Sequence, residues 1–137
     1  ETTDKKIKLN ANNDKYKIDI KRTPEIIYGL RNFIGNAVKF SNKIVEVELE
    51  SNKDKICVKV NDDGPGFPED VIKILGEPYI KSKSKEINDK SGLGLGIFLG
   101  KTLLERQGAK LNFSNQSKSK GASVKIIWNS NKLNSSF

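Results

Sequence analysis

A chain of 137 residues is the length of one domain, enough to bury a core without disulfides or structural metal. One cysteine and no histidine exclude an intrachain disulfide, a histidine-based triad and the usual zinc constellations. The formal charge of +8 invites an anionic partner, whether nucleotide, nucleic acid or membrane surface, although a Lys- and Asn-rich proteome would produce the same excess.

No apolar run approaches the ~20 residues of a membrane span. Glu1 opens no signal-peptide pattern, so the chain reads as a soluble, cytoplasmic unit, and the missing initiator methionine reads as a piece of something longer. The lone Cys57 fits a reducing compartment.

Taken in chain order, Ile7 and Leu9 alternate with polar residues, as do Tyr16, Ile18 and Ile20, which predicts two short strands around a turn at 10–14. Thr23-Pro24 is a helix start, a hydroxyl cap followed by proline in the first turn. Ile26, Ile27, Leu30, Phe33, Ile34, Ala37 and Val38 then recur at helical spacing, carrying the helix to about Phe40. Val45, Val47 and Leu49 alternate with glutamates, and Ile56, Val58 and Val60 alternate with Lys55, Cys57 and Lys59. Both patterns read as half-buried strands, joined by a turn at 52–54.

A Gly/Pro loop after Asp62 leads to a short helix over about 69–75. Residues 76–91 are polar, lysine-rich and without period, a long loop of the kind that is usually functional. A helix over about 94–107 ends at Gly108, a C-terminal cap. Strands near 110–114 and 122–128 flank a polar stretch, and residues 129–137 read as a frayed tail. These elements predict a single α+β domain, a two-layer sandwich in which about three helices cover one face of a mixed, mostly antiparallel sheet of about five strands.

Three local patterns carry chemistry. Asn32, Asn36 and Lys39 share one stripe of the long helix. A plain solvated face would look similar, yet asparagine is a poor helix former, and Gly29 and Gly35 thin the helix edge beside the stripe. An amide oxygen suits Mg²⁺ as a hard ligand, and a lysine is a point charge for phosphate. The run Asn61-Asp62-Asp63-Gly64-Pro65-Gly66-Phe67 is turn-forming by itself. Asp62 at the end of a buried strand adds a carboxylate able to accept from an exocyclic amine such as adenine N6. Ser91-Gly92-Leu93-Gly94-Leu95-Gly96 runs into a helix, where successive backbone N–H groups make an anion site. No Lys-Ser/Thr follows these glycines, as a Walker loop would require, and no strand precedes them, as a dinucleotide fingerprint would. Gly92, Gly96 and Gly100 also recur every fourth residue, which close helix packing alone would explain.

The order and spacing of the three patterns resemble the Bergerat-type ATP-binding fold of histidine kinases, type II topoisomerases, mismatch-repair ATPases and a heat-shock chaperone family. Residues 30–41 resemble the kinase N box, 62–66 the G1 box and 92–95 the G2 box. Gly121-Ala122-Ser123 sits where that family has its last Gly-Thr segment near adenine. The similarity covers about 7–128, and the N box and both glycine boxes are specific to it.

The resemblance implies the following roles. Asn36 ligates Mg²⁺. Asn32 and Lys39 lie near the phosphates, with Gly92, Leu93, Gly94, Leu95 and Gly96 in the phosphate loop. Asp62 reads adenine N6 within the G1 box that carries Gly64 and Gly66. Phe40 contacts the base, and Ser123 stands in the last segment near it. Residues 76–91 form the ATP lid, Glu77-Pro78-Tyr79 is part of the F box, and Lys83 reaches the γ-phosphate. Leu75-Gly76-Glu77-Pro78-Tyr79 with Lys101 to Arg106 resembles the redox-responding global-regulator branch of sensor kinases. Lys90 departs from the glycine that often begins the G2 box, and Gly76 from a frequent F-box phenylalanine.

In hydrolytic relatives a glutamate one turn before the metal asparagine activates water. Asn32 holds that position here, and an amide takes no proton at neutral pH. The resemblance therefore implies ATP and Mg²⁺ binding followed by transfer to an acceptor, with positioning supplying most of the effect. With no histidine present, the acceptor belongs on a separate histidine-bearing dimerisation domain of the parent protein. A response regulator is the further partner, the isolated domain is expected as a monomer, and the parent is expected as a homodimer with room for an inner-membrane anchor. An anti-sigma-factor serine kinase of the same fold is the alternative. No nucleic acid is expected: Lys81, Lys83, Lys85, Lys118 and Lys120 are not interleaved with aromatic stacking platforms.

Overall fold

A computed structural model describes residues 5–11, 23–75, 96–116 and 121–129. The elements in chain order are β1 (Lys6–Ala11), α1 (Pro24–Phe40), β2 (Ile44–Ser51), β3 (Lys55–Asp62), α2 (Glu69–Leu75), α3 (Gly96–Arg106), β4 (Ala109–Asn115) and β5 (Ala122–Asn129). The strand expected over 16–20, the loop over 76–91 and the tail after Asn129 lie outside the described residues.

Local chemistry accounts for most boundaries. The Thr23 hydroxyl accepts the Ile26 N–H at 3.2 Å and Pro24 occupies the first turn, so α1 begins on a side-chain cap. At its other end Ser41 leaves helical geometry, with its N–H donating to the Ala37 carbonyl at 2.9 Å and its hydroxyl to Val38 at 2.9 Å. The Asn52 carboxamide oxygen accepts from the N–H groups of Asp54 and Lys55, both at 2.9 Å, which closes the β2–β3 turn. Gly108 follows α3 at φ 90°, the left-handed conformation a C-terminal cap needs.

The strands form one sheet in the order β1-β2-β3-β5-β4, with β1 parallel to β2 and every other pair antiparallel. One face carries Val45, Val47, Ile56, Val58, Val60, Val124, Ile126 and Trp128. These residues form a single buried cluster with Ile26, Phe33 and Ala37 of α1, Val71 and Leu75 of α2, and Ile97, Phe98 and Leu104 of α3. Helix α1 lies over β2 and β3, whereas α3 packs beside α1 and over β4. The predicted α+β sandwich, with three described helices on one face of a mixed five-stranded sheet, is the observed architecture.

Two glycines set how close the helices come. A Cβ at Gly29 would strike the Leu104 side chain, and one at Gly100 would stand 3.2 Å from the Asn32 Cβ. The α1–α3 contact therefore fills the space that side chains at 29 and 100 would occupy, and it draws the start of α3 toward the middle of α1. Gly35, the other glycine beside the asparagine stripe, has open space where a Cβ would go, so it plays no such part. On the opposite face of the sheet Cys57 is half-buried, and burial raises its thiol pKa, outweighing the neighbouring lysines.

Candidate functional site

The β3–α2 loop, the C-terminal half of α1, the start of α3 and the start of β5 enclose one predominantly apolar cavity. It holds about 730 Å³ of space counting its open mouth. Helix α1 contributes Phe33, Asn36, Ala37 and Phe40, which recur at helical spacing and so share a wall. Val60 and Asp62 come from β3, and Ala122 and Val124 from β5, each pair two residues apart on one sheet face. Pro65 to Pro68 close one side, and Ile97 of α3 another.

Asp62 is the charged group among the described residues that line this cavity, 6% exposed at the end of β3. Its Oδ1 accepts the N–H groups of Gly64 at 2.8 Å and Ala122 at 3.2 Å. No donor reaches Oδ2 among the described residues. Burial raises the Asp62 pKa, the two N–H bonds lower it, and neighbouring Asp63 raises it again, with a net upward shift. A carboxylate held under this penalty gains from a donor that satisfies its second oxygen.

The loop carrying Asp62 is held on two sides. A Cβ at Gly64 would overlap the Phe40 carbonyl, so only glycine lets the loop pass beneath the end of α1. Gly66 adopts φ 84°, a conformation that favours glycine. Asp63 faces away from the cavity. Its Oδ1 accepts the N–H groups of Asn42 at 2.8 Å, Lys43 at 3.1 Å and Ile44 at 3.2 Å, and the Asn42 amide returns a bond to the Asp63 carbonyl at 2.9 Å. Burial tends to raise the Asp63 pKa, but these N–H groups outweigh it and hold the carboxyl below the ordinary range.

The residues singled out in the sequence fall into three groups. Asn36, Phe40, Asp62 and Gly66 line the one cavity. Asn32, Lys39, Gly64 and Ser123 do not line it. Asn32 donates from its amide to the Tyr28 carbonyl at 3.4 Å and lies beside Gly100. Lys39 is exposed, with its ammonium 5.3 Å from the centre of the Phe40 ring. Gly64 lies behind the wall, against the Phe40 carbonyl. Ser123 pairs across the sheet with Asn61, one residue out of phase with Val60 and Asp62, so strand alternation places it on the far face. Tyr79, Lys83, Gly92, Leu93, Gly94 and Leu95 lie outside the described residues, and Gly96 is the first residue of α3.

Several residues of the site escaped the sequence reading. Strand parity alone would have pointed to Ala122 and Val124 in place of Ser123, since β5 is apolar at even positions. Helical spacing would have added Phe33 and Ala37 to Asn36 and Phe40. Asn115 and Gln116, which bond the 62–67 loop from outside the cavity, gave no local signal, because their partners are distant in sequence.

Residues 5–131 match the family described as "Histidine kinase-, DNA gyrase B-, and HSP90-like ATPase". Sensor histidine kinase RegB of Cereibacter sphaeroides is 39% identical over 124 residues, 80% of this chain and 27% of RegB. The chain thus spans about a quarter of the length of that curated relative. Among solved structures, a mycobacterial sensor histidine kinase, MprB, superposes with a TM-score of 0.67 at 19% identity over 92% of this chain and 82% of its own. Histidine kinase ThkA in complex with response regulator protein TrrA gives a TM-score of 0.65 at 20% identity, covering 92% of this chain and 34% of that one. At such identities the two structures bear on the fold alone. With the family matched over almost its whole length, and with its fold and its cavity in place, the chain belongs to the histidine kinase-, DNA gyrase B- and HSP90-like ATPase family.

Proposed function

We propose that this chain is the catalytic part of a sensor histidine kinase: it binds ATP with Mg²⁺ and transfers the γ-phosphoryl group to a histidine on a separate dimerisation segment of its parent protein. The observation that carries the reading is the convergence of Asn36, Phe40, Asp62 and Gly66 on one apolar cavity. A flat heteroaromatic base suits apolar walls with a single buried carboxylate at one end, and Asp62 Oδ2 would accept from its exocyclic amine.

Asn36 is the residue that would ligate Mg²⁺. Among the described residues no three acidic, cysteine or histidine side chains cluster as a ready-made cage. That suits Mg²⁺, which takes most of its ligands from phosphate oxygens and water and needs one or two from the protein. Bound there, the ion would neutralise charge developing on the transferred group. Asn32, one turn earlier, offers no base to a water molecule. The reaction therefore favours a positioned acceptor: a bond forms from the γ-phosphorus to an imidazole nitrogen, its bond to the β–γ bridging oxygen breaks, and ADP leaves. Lys39 and Lys83 are proposed to act on the phosphates.

RegB's length beyond the matched quarter leaves room in a parent protein for the acceptor domain, and the alignment accords with the redox-responding branch resembled by residues 75–79 and 101–106. A response regulator is the next partner in this reading, as TrrA is found in complex with ThkA. Among the described residues no helix is long and apolar enough to cross a membrane.

Mixing this chain with a histidine-bearing dimerisation fragment and γ-labelled ATP tests the proposal. The expected product is an acid-labile, base-stable phosphohistidine on the fragment. Bound ATP with no label on any histidine fragment would overturn the kinase assignment, and label on a serine substrate would favour the anti-sigma-factor alternative.

A further inference from the structure

Two adjacent amides at the end of β4 grip the two ends of the 62–67 loop, from a place outside the three sequence patterns. The Asn115 carboxamide pairs with the backbone of Phe67: its Oδ1 accepts the Phe67 N–H at 2.7 Å and its Nδ2 donates to the Phe67 carbonyl at 2.8 Å. Gln116 reaches the other end. Its Nε2 donates to the Asp62 carbonyl at 3.0 Å and to the Ala122 carbonyl at 3.4 Å. Neither side chain lines the cavity, whereas Asp62 and Phe67 both do.

The hairpin does not need these side chains. Backbone pairing of Ser114 with Ser123 and of Asn115 with Ala122, and the Gln116 N–H bond to the Gly121 carbonyl at 2.8 Å, already set its register. Phe67 lies in no strand or helix, and the Asn115 amide gives its N–H and its carbonyl partners that a sheet would otherwise supply. Asn115 is exposed, so water can replace it, and its loss would loosen the loop without exposing the core.

We propose that Asn115 and Gln116 are positioning residues of the nucleotide site. They hold the Asp62 carboxylate and the Phe67 ring, five residues apart in a Gly/Pro turn, at the separation that binding needs. The inference rests on the ATP-binding reading above. An amide is required at 115 because the position must both accept and donate, which a carboxylate does only when protonated.

The test uses the 137-residue chain, with hydrogen exchange at the Phe67 amide to read the grip and titration with ATP and Mg²⁺ to read its consequence. Asn115→Ala is expected to speed Phe67 exchange and weaken ATP about fivefold, and Gln116→Ala to weaken ATP by a similar factor, each equivalent to about one hydrogen bond. Asn115→Asp is expected to bind weakly at neutral pH. Its affinity should return to within about twofold of the unsubstituted chain, compared at the same pH, as pH falls to about 4 and the carboxyl gains a proton to donate to the Phe67 carbonyl. A uniform loss of stability would not produce that pH profile. Faster exchange with unchanged ATP affinity, or an Asn115→Asp profile parallel to that of the unsubstituted chain, would overturn the inference while leaving the ATP reading intact. If the unsubstituted chain takes up no ATP although exchange still responds to Asn115→Ala, the ATP reading fails and the positioning role fails with it.

Discussion

Gly121 lies directly against the carbonyl of Asp62: a Cβ at position 121 would overlap that oxygen and stand 3.2 Å from the Asp63 Cα. The obstacle is backbone, so neither side can turn away as a flexible side chain would. Gly121→Ala must push the start of β5 from the end of β3 and stretch the Ala122 N–H bond to Asp62, now 3.2 Å. Such overpacking typically costs about 1–3 kcal/mol. We expect a lower melting temperature and about tenfold weaker ATP binding, checked by thermal melts and calorimetric titration. An alanine variant that binds ATP like the unsubstituted chain would show that this approach does not set the pocket.

Asp62 is proposed to exchange stability for binding. Its pKa is raised mainly by burial, so the folded state holds its proton more readily than the unfolded chain does. The sign follows: its contribution is most favourable below the unfolded pKa and is lost as pH rises through the folded value. Asp62→Asn removes the buried charge and keeps an oxygen for the Gly64 and Ala122 N–H groups. The variant should be as stable as the unsubstituted chain or more so at neutral pH, with the gap closing as pH falls through the raised folded value and gone below about 4. It should also bind ATP ten- to a hundredfold more weakly, the order expected for losing a hydrogen bond to a charged group. Melts and titrations across pH separate the two effects. A destabilised variant with intact affinity would contradict both.

Asp63 has the opposite sign. Backbone N–H groups of Lys43, Ile44 and Asn42 outweigh its burial and lower its pKa, so its contribution is present above the unfolded value and is lost as pH falls through the folded one. Asp63→Asn retains one oxygen, and Oδ1 already receives all three N–H groups, while Oδ2 adds only a second contact from Lys43 at 3.1 Å. Asp63→Ala should lose about 1 kcal/mol at neutral pH, allowing for the exposure of these bonds to solvent, and should lack the acid-side loss. Asp63→Asn should recover most of the difference. Equal melting temperatures for the two variants would remove the clasp between β2 and the Asp62 loop.

The metal assignment depends on Asn36. Asn36→Asp puts a second carboxylate into the cavity that holds Asp62. It should shift the Mg²⁺ concentration needed for half-maximal ATP binding by several-fold, with less effect on nucleotide bound without metal. Titration of ATP at a series of Mg²⁺ concentrations reads this directly, and a curve superimposable on that of the unsubstituted chain would move the metal ligand elsewhere.

What the sequence determined by itself are the features encoded within a few residues of one another. The cap at Thr23, the seven apolar residues recurring to Val38, the alternation of β2 and β3, the Asn52 turn and the Gly108 stop each depend on neighbours within one or two turns of chain. They stand where local propensity and periodicity put them. The N-box and glycine-box order was likewise legible, because a family resemblance is a property of sequence.

Tertiary structure alone decided which of those residues share a cavity. Ser123 looked equivalent to its neighbours until the β3–β5 register turned it to the far face and turned Ala122 inward. Asn32 belonged to the same helical stripe as Asn36, yet the approach of Gly100 placed it against α3. Asn115 and Gln116 read as part of a polar stretch between two strands, although they reach Phe67 and Asp62 across 48 and 54 residues of sequence. Hydrogen bonds and close contacts between distant segments depend on strand order and helix approach. Those are settled by how the whole core packs, and no short window of sequence contains that information.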